Sequence, residues 1–365
     1  MVAVLEESNF DPYQFAYLSK RSTTHALLML CEDIKKGLIE GKKVGIVFFD
    51  FSDAFGSVNR YHLLHKLGKD FDISGNLFLH IHSFLEDRYA RLRINDTFGE
   101  WIESLTGTSA GTLLGPLLFI GHVHDVPSSI KPKFADDLVA VVSGNDMSGI
   151  TKELQLAIDH LDAWADREGM TLNVDKTVAM LFSDEPTQEI KLELNGSLIK
   201  QVTSHKYLGV ILDNMLDFSM QVDHSVSKAK RASAKVFSLM DGRQGISVQT
   251  GINLYKTLVR PHLEYALPAW ANISDRDIMK LEQVQTQCLR KITGAKSHSS
   301  SSAVEVVTGI LPMRVRRREL CCREYIKIIT MHENHPLRLL LAKSKRARLR
   351  FSPLEFIKVM SREWE

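Results

Sequence analysis

The sequence predicts an α+β protein whose first part mixes strands with helices and whose second part is helical. Three observations carry this expectation. Val44-Gly45-Ile46-Val47-Phe48-Phe49 and the stretch Leu138 to Val142 are short runs of branched and aromatic residues flanked by turn formers, as buried strands are. Segments between and after them repeat apolar residues three and four apart, the spacing of amphipathic helices. Past residue 216 helical periodicity dominates.

Taken in order, Phe10 to Arg21 is irregular, and Ser22 to Glu40 carries an apolar face of Leu27, Leu30, Cys31, Ile34 and Leu38 that Gly41 closes. After the first strand, Arg60 to Lys69 and Ser74 to Asp87 read as short helices, with Ser74 as an N-cap. Arg88 to Leu105 reads as a hairpin turning at Asn95-Asp96, and Leu113 to Val126 as a helix. A second hairpin has Asp136-Asp137 at its turn. Leu154, Ile158, Leu161 and Trp164 mark a helix, Thr177 to Ser183 and Lys191 to Asp213 supply strands, and Asn195-Gly196 marks a turn. Val222, Val226, Ala229 and Val236 define one later helix. Ile278, Leu281, Gln285, Cys288 and Ile292 define another, between Ser274 and Gly294. Ser297 to Ser302 is a polar linker.

Composition narrows the class. In 365 residues, 44% hydrophobic and 25% charged, there is enough chain for two or three subdomains. Cys31, Cys288, Cys321 and Cys322 form no C-x-x-C pair, which points to free thiols in a reducing compartment rather than to zinc or disulfides. No apolar run is long enough to span a bilayer and Met1 opens no signal peptide, so an intracellular protein, cytoplasmic and nuclear, with no membrane partner is expected. Net charge is +2, but Leu311 to Arg350 holds twelve Lys/Arg against three Asp/Glu, a local balance of +9. That asymmetry suggests nucleic acid as the partner, or a pair of solvated helix faces.

The chemistry concentrates in carboxylates. The first strand ends on Asp50 and the second hairpin turns on Asp136-Asp137. If those strands are neighbours, three carboxylates converge at one sheet edge, where they repel one another unless a divalent cation sits among them. Hard oxygen ligands with room for phosphate oxygens describe a Mg²⁺ site for phosphoryl or nucleotidyl transfer.

Seven stretches, in this order, resemble the reverse transcriptase of non-LTR, LINE-type, jockey-like retrotransposons: QFAYLSKRSTTHALL, FFDFSDAFGSVN, GTSAGTLLGPLLF, KFADDLVAVV, GMTLNVDKTVAMLFS, HKYLGVILD and LYKTLVRPHLEYALPAW. The resemblance implies a right-hand polymerase: partial fingers over 1–40, an antiparallel palm over 41–216, a helical thumb over 217–296 and a basic helical segment over 297–365. It implies a fragment of a longer reading frame, with more fingers and an endonuclease upstream. It also implies RNA-directed DNA polymerase activity with two Mg²⁺ ions, an RNA template, a DNA primer and deoxynucleoside triphosphates. A degenerate copy that binds RNA without polymerising is the alternative, and a maturase-like splicing cofactor a third reading.

Carried over residue by residue, the resemblance makes Asp50, Asp136 and Asp137 the catalytic carboxylates, with the Phe51 carbonyl a further metal ligand. Phe55 falls where the family places the aromatic gate against a ribose 2′-hydroxyl, or it is simply core. Lys20 and Arg21 match basic residues that hold triphosphate oxygens, or form a solvated pair. Lys176 falls where a family lysine stands near the leaving group. Tyr207-Leu208-Gly209 matches the primer grip, and Lys228, Lys230, Arg231 and Lys235 would meet phosphates from the thumb. Departures stand beside the matches. Ser109-Ala110-Gly111 replaces Pro-Gln-Gly next to the incoming nucleotide, Asp53 replaces a Lys within an expected helical turn of Asp50, Gly56 replaces an Asp, and His124 an Asn.

Overall fold

The two apolar runs pair as neighbours. In the computed structural model, which describes residues 10–109, 111–183, 188–240, 245–343 and 352–362, strand β1 (Lys43–Phe49) is the middle of a five-stranded sheet. Antiparallel to it on one side lies β3 (Asp137–Gly144), itself hairpinned to β2 (Ile130–Phe134). On the other side lies β4 (Val178–Phe182), with the short β5 (Lys200–Gln201) parallel beyond it. The order β5-β4-β1-β3-β2 buries both faces of β1, which explains an uninterrupted apolar run instead of alternation.

One face of this sheet is covered by α5 (Met147–Glu168). Asp146 caps it, its carboxylate accepting the Gly149 N–H at 2.7 Å, and Gly169 ends it in the left-handed conformation. Ile150, Leu154, Ile158, Leu161 and Trp164 form its buried stripe. Gly45 lets this helix approach, since a Cβ there would sit 2.7 Å from Ile150 Cγ2 and 2.8 Å from Leu154 Cδ1. Around the sheet also stand α2 (Arg60–Lys69), α3 (Gly75–Leu85) and α4 (Leu114–His122), the last shorter than its sequence expectation because Val123 onward turns toward β2. Ser74 holds the cap position of α3 without a side-chain hydrogen bond. The Arg88-to-Leu105 hairpin forms and turns at Asn95.

Residues 10–26 and 40–202 make one compact unit among the described residues. Leu27–Ile39, the greater part of α1 (Thr23–Ile39), group with the second unit, which runs from Thr203. That unit opens with a hairpin, Ser204–Tyr207 against Val210–Asp213, and continues as helices: α6 (Ser219–Met240), α7 (Asp275–Thr293) and α8 (Met313–Ile329), with shorter ones between and after them. Its core holds Trp270 and Tyr255, both fully buried. The Tyr255 hydroxyl donates to Gln285 at 2.8 Å.

Much of the basic charge expected to face a partner is paired inside this unit. Arg316 makes two 2.9 Å bonds to Glu264 and one of 2.7 Å to Glu319, Arg314 pairs with Glu282, and the Arg317 guanidinium lies 5.2 Å from the Phe356 ring centre. Four of the Lys/Arg in the basic stretch (Lys345, Arg346, Arg348, Arg350) lie outside the described residues.

Glu32 on α1 is buried, with one carboxylate oxygen lacking a hydrogen-bond partner. Burial first, then the charges of Asp33 and Glu355, push it from 4.5 to about 7 against the opposing Ser352 and Leu354 bonds. A raised carboxyl adds stability below its unfolded value and loses it as pH rises through the folded one. The second unit should therefore lose on the order of 3 kcal/mol of stability between pH 4.5 and 7. Glu32→Gln should flatten that slope in denaturant titrations across this range; an unchanged slope would assign it to other groups.

Candidate active site

Register brings the carboxylates together. The last paired residues of β1 and β3 are Phe49 and Leu138, so the next step along each strand is Asp50 on one and Asp137 on the other. Asp136 belongs to the two-residue loop Ala135-Asp136 that joins Phe134 to its partner Asp137. Ala135 occupies the left-handed region at φ 55°, a conformation that costs a side-chain-bearing residue about 1–2 kcal/mol. Beyond β1 the chain turns against residues 171–173: Asn173 N–H donates to the Asp50 carbonyl at 2.7 Å, Ser52 N–H donates to the Thr171 carbonyl at 2.9 Å, and Phe51 bridges Leu172. The Phe51 ring is buried edge-on against Trp164.

The charges act on one another. Burial first, then Asp50, raises Asp136 against a backbone hydrogen bond. Asp137 reaches solvent, yet crowding by the surrounding chain, then Asp136 and Asp50, push it up to about 6. Tyr17 is raised by burial and then by Asp136 and Asp137, which places its ring within their field. Lys176 Nζ stands 3.4 Å from Asp50 Oδ2, in ion-pair range but without hydrogen-bond geometry, and that oxygen has no hydrogen-bond partner. Folding thus sets Lys176 beside Asp50.

Among the described residues no three His, Cys, Asp or Glu side chains are gathered tightly enough to form a ready ion cage. The convergence of Asp50, Asp136 and Asp137 is one of charge reach, short of shared ligation. Their chemistry nevertheless fits Mg²⁺. It takes one or two carboxylates and leaves its other positions to water and phosphate, and here Asp50 offers a buried oxygen without a hydrogen-bond partner within the electrostatic reach of Asp136 and Asp137.

The other sequence-derived residues divide. Phe55 is half-buried, its ring stacked on Phe119 at 4.2 Å, and it lines an open cleft of about 760 Å³ with Asp53, Arg60, Arg88, Trp101 and Ser109. Arg60 and Arg88 in that cleft are functional candidates the sequence did not single out. Arg60 is held by the carbonyls of Ser104, Thr106 and Gly107, and Arg88 donates to the Ser109 hydroxyl. Arg21 donates to the Asp11, Pro12 and Gln14 carbonyls, so it braces its own loop; Lys20 is exposed at φ 58°. Gly111 takes φ 78°, and Ala110 lies outside the described residues.

Asp53 corrects an expectation. Residues 52–56 form a turn rather than a helix. Asp53 sits at φ 50° with its carboxylate folded over Gly56, accepting that residue's N–H at 3.3 Å. A Cβ at position 56 would meet Asp53 Oδ2 at 2.1 Å, so Asp53 and Gly56 are one accommodation. The charges that raise Asp136 and Asp137 are Asp50 and, for Asp137, also Asp136, without Asp53. His124 pairs with Asp70 at 3.2 Å and lies edge-on to Phe71.

Within the second unit, Tyr207-Leu208-Gly209 is the tight turn of the opening hairpin, with Leu208 at φ 45° and Gly209 at φ 83°. The Tyr265 hydroxyl donates to the Leu208 carbonyl at 2.9 Å, and its ring leaves no room for a Cβ on Gly209. On α6, Lys230, Arg231 and Lys235 are exposed and Lys228 half-buried. Burial, then Lys228, Lys206 and Arg231, lower His224, while burial, then Lys228 and Arg231, lower His262. Lys206 therefore joins Lys228 and Arg231 in one positive patch. It escaped the sequence reading because only folding brings the hairpin to α6.

A palm-type antiparallel sheet that gathers acidic residues at the end of its central strand, beside a hairpin turn, defines the polymerase class of fold. The family model for reverse transcriptase (RNA-dependent DNA polymerase) matches residues 1–212, and the chain belongs to that family. It is 24% identical over 334 residues to the RNA-directed DNA polymerase from mobile element jockey of Drosophila melanogaster, covering 88% of this chain and 36% of that protein. It is 25% identical over 348 residues to the jockey polymerase of Drosophila funebris, covering 92% and 37%. The probable polymerase of transposon X-element of Drosophila melanogaster matches at 24% over 81% of this chain and 33% of its own length. The chain thus spans little more than a third of these relatives. Apo telomerase from Candida tropicalis aligns with 93% of this chain and 59% of its own at 12% identity, with a TM-score of 0.47, too loose a likeness to bear weight. No helix among the described residues is long and apolar enough to cross a membrane.

Proposed function

We propose that this chain is the RNA-directed DNA polymerase part of a longer retrotransposon protein, extending a DNA primer on an RNA template. The observation that supports it most is the β1–β3 register, which sets Asp50 beside the Asp136-Asp137 turn in a chain of this family. In this reading 1–40 is part of the fingers, 41–216 the palm, 217–296 the thumb and 297–365 a basic helical extension.

Asp50, Asp136 and Asp137, with the Phe51 carbonyl, would hold two Mg²⁺ ions, which when bound supply Lewis-acid activation of the primer 3′-hydroxyl and charge neutralisation at the phosphates. The chain's own residues do the rest. Lys176, exposed and 3.4 Å from Asp50, offers a cation and a proton at the leaving pyrophosphate. The cleft holding Phe55, Arg60 and Arg88 receives the deoxynucleotide and template, with Lys20 at the triphosphate and Gly111 leaving backbone room. Tyr207-Leu208-Gly209 carries the primer strand, and Lys228, Lys230, Arg231 and Lys235, joined by Lys206, neutralise backbone phosphates.

Primer extension on poly(rA)/oligo(dT) with Mg²⁺ tests this directly. Incorporation of dTTP is expected; binding of the duplex without extension would leave the chain a nucleic-acid binder only. Phe55→Val should raise ribonucleotide use relative to deoxynucleotide by about tenfold or more, as opening a pocket by a few carbons does. An unchanged ratio would mean that stacking on Phe119 is all Phe55 does. Lys228→Ala with Arg231→Ala should reduce the slope of log affinity against log salt by roughly 1.5, at ~0.7–0.9 per phosphate; an unaltered slope would move the phosphate contacts elsewhere.

A further inference from the structure

We infer that Gln14 is a positioning residue of the active site: its buried amide oxygen pins the turn that presents Asp136 and Asp137. The inference rests on the polymerase reading of those carboxylates. Gln14 Oε1 accepts the Ala135 N–H at 3.0 Å and the Ala16 N–H at 3.0 Å. Gln14 and Ala135 are each 2% exposed, so no water can take over either bond.

The oxygen is itself held in place. Gln14 forms a parallel bridge with Lys133, where Phe15 N–H donates to the Lys133 carbonyl and Lys133 N–H to the Tyr13 carbonyl, both at 2.9 Å. The Lys133 ammonium lies 2.7 Å from Asp11 and donates to the Val126 carbonyl at 2.8 Å, and Arg21 clamps the carbonyls of Asp11 and Gln14. The segment 11–16 is thereby fastened along β2, and its one glutamine reaches the left-handed residue immediately before the acidic pair.

Ala135 needs such a pin. Its Cβ disfavours φ 55°, and in an open two-residue loop its N–H would point to no partner. Without the acceptor, the turn relaxes to a more ordinary backbone, and both following carboxylates swing with it. Misplacement near the reacting atoms by about 1 Å is enough to cost about 10²-fold in rate. Because the Gln14 oxygen bonds backbone N–H groups, its effect should fall on turnover rather than on nucleotide affinity.

The test uses the full chain and two variants, Gln14→Met, which keeps volume and removes the acceptor, and Gln14→Met with Ala135→Gly, which removes the left-handed strain. Amide hydrogen exchange across residues 130–140, thermal midpoint, and kcat and KM for dTTP are measured on each. Gln14→Met should exchange at Ala135 at least about tenfold faster and lose about 30- to 100-fold in kcat, with KM within about twofold and the midpoint lower by roughly 5 °C, since two buried N–H groups lose their acceptor. The added glycine should recover about tenfold of the lost kcat. Unchanged exchange at Ala135 overturns the pin, and so does a kcat loss that follows the thermal midpoint and is not recovered by glycine. A wild-type chain that extends no primer defeats the polymerase reading, and the exchange measurement then decides the pin alone.

Discussion

Asp136→Asn should abolish primer extension while leaving the fold as stable as before or slightly more so. Beyond the effect of burial, Asp50 raises Asp136, and Asp136 and then Asp50 raise Asp137, at a sheet edge where the Lys176 ammonium stands 3.4 Å from Asp50. Neutralising Asp136 removes like-charge repulsion worth up to about 1 kcal/mol at a solvent-reaching site. In the proposed function the same change removes an anionic ligand for Mg²⁺, a loss of several kcal/mol of transition-state stabilisation, or about 10³-fold in rate. Primer extension and thermal melting measured on the same preparation separate the two effects. A variant that extends primers within tenfold of the parent would remove Asp136 from the chemistry. One that melts much earlier would make it a structural residue.

The second large effect is expected behind the sheet, at Lys66. Lys66 is 7% exposed, and its ammonium is shared among Asp125 Oδ1 at 2.7 Å, Glu168 Oε2 at 3.1 Å and the His122 carbonyl at 2.8 Å. Burial alone would push Asp125 up, but the Lys66 bond and charge and the Trp164 N–H bond more than reverse it. Glu168 is likewise held low, by Lys66, His122 and Arg167 against burial. His122 is fully buried with neither ring nitrogen hydrogen-bonded. Burial and then Lys66 lower it to about 4. Lys66→Ala should therefore cost about 3–5 kcal/mol, because it strands a buried carboxylate rather than merely deleting a bond. The pH dependence follows. In the parent, the low Asp125 and Glu168 add stability above their ordinary values that is lost as pH falls through the folded ones. In Lys66→Ala both rise, so the variant should recover stability as pH is lowered. Adding Glu168→Leu should restore most of the loss. A Lys66→Ala protein with parental stability and pH profile would show the cluster to be open to water.

The branched runs that became β1 and β3 were legible because a strand buried on both faces must be apolar throughout. The hairpins at Asn95 and Asn195 were legible because left-handed turns select a few residue types. The acidic trio was legible for a similar local reason: a charged residue ending a buried strand has to leave the core. Helix ends were less so, as the early end of α4 at His122 and the unbonded cap at Ser74 show. Asp53 was misjudged because sequence distance from Asp50 says nothing about direction, and the turn folds it over Gly56.

The sequence by itself determined the family, the sheet-then-helix order and the places where acidic residues end the buried strands, since each is a matter of local pattern and side-chain chemistry. The tertiary structure decided what each charge faces. It paired much of the C-terminal basic stretch with Glu264, Glu282 and Glu319, gathered Lys206 with Lys228 and Arg231, and brought Lys176 to Asp50. It also laid Gln14 against Ala135, 121 residues away. Coulomb and hydrogen-bond energies depend on distance through the fold, and composition along the chain cannot encode that distance.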